Sequence, residues 1–153
     1  MIPFTLHNIH KRPLFTADID CDEGDSDAIK KGLAAKWAVE NRRSLWYADL
    51  IGAELYRVNL RGADFRGAYL RRANLIGAKL INANFERANL SGAYLSGAYL
   101  TKADLIGADL IGADLTEAFL IGAKLENAYL YGADLRGATG IDRTSDIFKG
   151  AEL

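Results

Sequence analysis

From Ala48 to Gly137 the sequence obeys a five-residue period, and that number excludes most architectures. Leu50, Leu55, Leu60 and so on to Leu135 mark 18 pentad centres, of which 16 are Leu and two are Phe (Phe65 and Phe85). Two residues before each centre stands Ala, 17 times in 18, with Val58 the exception; two residues after it stands Gly in 11 of the 18. On an α-helix a five-residue step turns each Leu by about 140° from the last, which smears the apolar residues around the surface. On a continuous strand five is odd, so successive Leu would alternate faces. The Leu share an interior only if the backbone turns once per pentad. Ala and Leu two apart then point inward together, the residue between them points outward, and the Gly-rich slot supplies the turns. The period predicts a solenoid lined by Leu and packed close by Ala.

Pentads such as Ala103-Asp104-Leu105-Ile106-Gly107 and Ala108-Asp109-Leu110-Ile111-Gly112 resemble the pentapeptide-repeat family pattern A-(D/N)-L-x-x. The resemblance covers residues 48–138. It implies an all-β solenoid, a right-handed quadrilateral β-helix with four pentads per coil, in a protein of bacterial or phage type. Residues 20 apart then stack, which places Phe65 beside Phe85.

A solenoid exposes its core at both ends and needs caps. Residues 1–47 do not repeat and supply the first. Phe15, Ala17 and Ile19 alternate with Thr16 and Asp18 as in a strand, so the cap is expected to hold either a single strand or a hairpin in which it pairs with residues 4–9, plus one helix. Ser26 caps a helix over 27–42, with an apolar stripe of Ile29, Leu33, Ala34, Trp37 and Ala38. The stripe is expected to dock on the first coil, with Trp37 and Trp46 over its open Leu layer. Residues 139–153 form a tail or short cap, and Ser145-Asp146-Ile147-Phe148 is expected to begin a short closing helix.

Composition narrows the function. Lys and Arg number 19 against 20 Asp and Glu, a net charge of -1, which argues against nucleic-acid binding through a basic surface. Cys21 is the only cysteine, so there is no intramolecular disulfide and no Cys-based zinc cage. No run approaches 18 apolar residues, and the start lacks a basic segment and a long apolar one, so the expectation is a cytoplasmic protein. The acidic segment 20–27 fails the EF-hand pattern, with Asp25 where Gly is needed and Lys31 where Glu is needed. It reads as a solvated loop. His7 and His10 lack partners at metal-ligand spacing, and no nucleophile elbow or phosphate loop is present. The Asp and Asn before each centre read as turn formers. No catalytic residue, cofactor or metal site is expected, and no enzyme.

With residues 20 apart stacked, the outer surface becomes readable. One ladder runs Asn59, Lys79, Tyr99, Phe119, and its neighbour runs Arg61, Ile81, Thr101, Ile121. Tyr99, Phe119, Ile81 and Ile121 form a candidate partner-binding patch; the competing reading is mutual stabilisation of neighbouring strands. At the C-terminal end Tyr129, Tyr131 and Phe148 are the candidate self-association residues of an end-to-end homodimer, against a monomer closed by residues 145–153. Charge falls from 7−4 = +3 over residues 49–90 to 3−6 = −3 over 91–136. Arg57, Arg61, Arg66 and Arg71 occupy successive faces as a belt. The leading reading is a scaffold that binds an unidentified protein, with no strong nucleic-acid binding and no membrane. The alternative is imitation of duplex DNA, as in the fluoroquinolone-resistance members that bind DNA gyrase. The arginine belt departs from their strongly negative surfaces.

Overall fold

The computed structural model describes residues 1–153. Every parallel bridge from Asp49–Tyr69 to Phe119–Thr139 joins residues 20 apart, so four pentads complete one coil of a solenoid. Within each pentad the N–H of Ala donates to the carbonyl of the preceding centre, as Ala53 does to Leu50 at 3.0 Å, closing a four-residue turn. The third residue of each turn holds a positive φ, which is a type II turn and explains the glycine. Between coils, the N–H of Leu50 donates to the Tyr69 carbonyl (2.9 Å) and that of Tyr69 to the Ala48 carbonyl (2.9 Å). This ladder begins at Leu45, whose N–H donates to Asp64, three residues before the Ala48 at which the pentads begin in the sequence.

The interior is the expected stack. The centres from Leu45 to Leu120 are buried together with the Ala that precede them, and Phe65 and Phe85 stack with ring centroids 4.9 Å apart and planes 5° apart. Each centre gives about 1.5–3 kcal/mol on burial, and each coil contacts only its neighbours. The Asp and Asn before each centre act locally: the side-chain oxygen accepts the N–H two residues on, as Asn84 does from Glu86 (2.9 Å) and Asp104 from Ile106 (3.1 Å).

The N-terminal cap is an antiparallel hairpin, β1 (Ile2–His7) and β2 (Pro13–Ile19), followed by α1 (Asp27–Glu40). Ser26 caps α1, its hydroxyl accepting from the Ile29 N–H at 3.4 Å. The buried face of α1 differs from the expected stripe. It consists of Gly32, Ala34, Ala35 and Ala38, whereas Ile29 is exposed and Leu33 and Trp37 are half-buried. The cause is closeness. The Glu54 N–H donates to the Ala28 carbonyl at 2.9 Å, so α1 meets the first coil backbone to backbone, and only small residues fit. The tryptophans also depart from expectation. Trp37 stacks on Phe15 at 5.7 Å within the cap, and Trp46 lies exposed on the flank.

Asp49 ties cap to coil. Its carboxylate, on a residue 9% exposed, accepts from Lys31 Nζ (3.0 Å) and Lys11 Nζ (3.5 Å), while its N–H donates to the His7 carbonyl (2.8 Å). Burial pushes the Asp49 carboxyl up, but the hydrogen bond and charge of Lys31 outweigh it and the net displacement is downward.

At the other end the 20-residue step is abandoned. Asp134 pairs with Glu152, 18 residues on, and the Leu135 N–H donates to the Glu152 carbonyl, so Ala151-Glu152-Leu153 stacks on Ala133-Asp134-Leu135. The segment between carries a 3-10 turn at Asp146–Phe148, where the sequence suggests a short closing helix.

Candidate interaction surfaces

The solenoid points its repeated side chains either into an apolar core or outward, so its chemistry is that of its flanks. Tyr99 and Phe119 stack one coil apart, with ring centroids 4.9 Å apart and planes 9° apart, each held by its N–H donating one coil back. Ile121, beside Phe119, is 58% exposed. Ile81 does not join them as closely. It is half-buried two coils below Ile121, with Thr101 between. The patch is therefore Tyr99, Phe119 and Ile121, rimmed by exposed Lys79 and Lys102.

At the C-terminal end Tyr129 and Tyr131 are 62% and 74% exposed. Phe148 is not available for contact with a second copy: it is 6% exposed and belongs to the hydrophobic core. It drops out of the candidate self-association set because its ring closes this molecule's end. The lid is incomplete, and a notch of about 660 Å³ opens where Ala123, Leu125, Ile141 and Ile147 stay half-buried.

The arginines of the belt differ in environment. Arg66 is held by Asp64 through two hydrogen bonds (2.9 and 2.8 Å) and lies over the Trp46 ring at 4.0 Å. Arg57 lies over Tyr56 at 5.0 Å, whereas Arg61 and Arg71 are exposed. Burial pushes the Asp64 carboxyl up, but hydrogen bonds from Arg66 and Trp46 bring it net downward. Acidic residues of the C-terminal half are partly matched: Lys124 reaches Asp104 at 3.2 Å, and Arg136 pairs with Asp134. In the 20–27 loop, Asp25 accepts the Asp22 N–H (2.9 Å) and Lys30 donates to the Glu23 carbonyl (2.7 Å). His7 lies in β1 and His10 in the exposed hairpin turn. Among the described residues no helix is long and apolar enough to cross a membrane.

Trp46, expected over the Leu layer, is instead exposed in a cation–π contact. The available signal was Arg66 exactly one coil later in the same outward slot.

Comparison with known proteins matches these repeats to the family described as Pentapeptide repeats, in 8 copies across residues 44–72, 68–105 and 103–139. Among solved structures, a pentapeptide repeat protein of the Arabidopsis thaliana thylakoid lumen is 40% identical, with a TM-score of 0.50 over 54% of this chain and 61% of that one. HetL, a pentapeptide repeat protein involved in heterocyst differentiation regulation in the cyanobacterium Nostoc sp. strain PCC 7120, is also 40% identical. Its TM-score is 0.48, over 72% of this chain and 51% of its own. QnrB1, a plasmid-mediated fluoroquinolone resistance protein, is 22% identical with a TM-score of 0.39, over 71% of this chain and 66% of its own. The chain thus spans little more than half the length of the first two. No curated protein matches it. With the family's repeats matched across residues 44–139, the chain belongs to the pentapeptide repeat family.

Proposed function

We propose that this chain is a non-enzymatic scaffold that binds another protein through the flank formed by Tyr99, Phe119 and Ile121. The observation that carries this reading is the exposed stacked pair beside Ile121, an apolar patch rimmed by exposed Lys79 and Lys102. Aromatic residues at such a site supply large contact area at low entropic cost. The test is capture from the native host with wild type and with Phe119→Glu/Ile121→Glu. Both should fold alike, because neither side chain enters the core. The wild type should retain a defined partner that the variant loses, and equal retention by both would contradict the reading. Imitation of DNA is the poorer reading, since Lys124 and Arg136 offset acidic residues of the C-terminal half. Added protein should leave gyrase supercoiling unchanged.

We further propose that two copies meet at the C-terminal end through Tyr129 and Tyr131. Their exposure at the C-terminal end supports this, and a two-fold contact there closes without forming fibres. Light scattering should give twice the 16.7 kDa chain mass, falling to a single chain in Tyr131→Glu. A wild-type mass of one chain would overturn it.

A further inference from the structure

A second surface lies where the cap meets the first coils. Three adjoining depressions of about 310, 420 and 330 Å³ share Trp46, Arg42, Arg43 and Ser44 between them, so together they form an extended groove. One end is aromatic. Trp46 is 43% exposed and fixed beneath Arg66, and the Tyr47 ring lies flat on Gly67, where an added Cβ would fall 2.7 Å from Tyr47 Cδ1. Tyr69, Glu86 and Arg87 complete that end.

The other end is basic. Arg42, Arg43 and Arg61 line it, and among the described residues none of the three forms an ion pair. Counting the groove's charged side chains, five arginines (Arg42, Arg43, Arg61, Arg66, Arg87) face two carboxylates (Asp64, Glu86), a balance of 5−2 = +3 in a chain of net charge -1. Arg42 carries a further mark. It ends α1 at φ 54°, with the Arg43 N–H donating to the Ala38 carbonyl (2.7 Å), the position where glycine is favoured. An arginine there costs local stability and places a guanidinium at the groove.

We propose that this groove binds an acidic peptide segment of a partner protein, with apolar or aromatic side chains on Trp46 and Tyr47 and carboxylates on Arg42, Arg43 and Arg61. Charge complementarity selects the sign of the partner, and guanidinium groups receive carboxylates in paired hydrogen bonds. A nucleic-acid strand fits less well, because the cationic residues do not continue along the rod.

The probe is a fluorescein-labelled peptide of alternating Glu and Tyr, about a dozen residues long, titrated in low salt by anisotropy. It should bind saturably and weaken at least about tenfold in Arg43→Glu/Arg61→Glu, whose side chains form no hydrogen bond or ion pair among the described residues, with the thermal transition kept as a folding control. A Lys–Tyr peptide of the same length should not bind, and Ile121→Glu should leave affinity unchanged, which separates this groove from the Tyr99–Phe119 flank. Absence of saturable binding, equal affinity in the charge-reversed variant, or tighter binding of an oligothymidylate would each overturn the proposal.

Discussion

At the scale of single residues, the turn slot explains what the glycine count alone does not. All 18 slots hold positive φ, yet seven are not glycine: Asn82, Asn127 and the five longer residues Arg57, Arg72, Arg87, Lys102 and Glu117. Each of the five longer residues lies one coil below a glycine. The side-chain stems of Arg57 and Arg72 come within 3.1 and 3.6 Å of where a Cβ would stand on Gly77 and Gly92, and the other three repeat the arrangement. Large side chains in the slot thus cover bare backbone above them. The centres were legible in the sequence because each pentad repeats them. This pairing was not, because it appears only once the coil is known to be 20 residues long. For the core the account predicts that Leu105→Asp, which places an unpaired carboxylate in a wholly buried slot, abolishes the cooperative thermal transition. A native-like transition in that variant would mean that Leu105 does not face the interior.

At the scale of elements, the cap depends on close approach. A Cβ on Gly32 would clash with the Glu54 carbonyl, falling 2.9 Å from its carbon, and backbone cannot swing aside as a side chain can. Gly32→Ala should therefore destabilise by about 2–4 kcal/mol in denaturant unfolding, although Ala favours helix by about 1 kcal/mol. An unchanged midpoint would show that α1 does not pack on the first coil. Helix, hairpin and N-cap were legible from Ser26 and the alternation at Phe15–Ile19. The docking face was not, because apolar periodicity favours Ile29 and Trp37, whereas the contact selects small residues. Asp49 gives the cap its pH dependence. Its carboxyl is held below the usual range when folded, so its contribution is full above about pH 4 and is lost as pH falls through the folded value. Asp49→Asn should lower stability at pH 7 by about 1–3 kcal/mol, and the gap to wild type should narrow as pH falls below the ordinary carboxylate range, through the lowered folded value. A gap that stays constant with pH would remove the Lys31–Asp49 pair from the account.

At the scale of the whole molecule, the Tyr99–Phe119 flank and the aromatic end of the Trp46 groove follow from one rule, that residues 20 apart lie one above the other. It stacks Tyr99 on Phe119 and Arg66 on Trp46. The ends break the rule. The tail returns to the stack after 18 residues, and the cue was Ala151-Glu152-Leu153, a pentad fragment hidden by the irregular segment before it. The most direct test of the rule is cysteine cross-linking in a Cys21→Ser background. Asn89→Cys with Asp109→Cys places two thiols on bridged neighbours, within the about 4.4–6.8 Å Cα separation that a disulfide requires. Asn89→Cys with Asp104→Cys, only 15 apart, places them on different faces. Mild oxidation should lock the first pair nearly completely, read as a mobility shift under denaturing conditions, and leave the second free. Equal cross-linking of both pairs, or preferential cross-linking of the second, would contradict the four-pentad coil on which every surface described here depends.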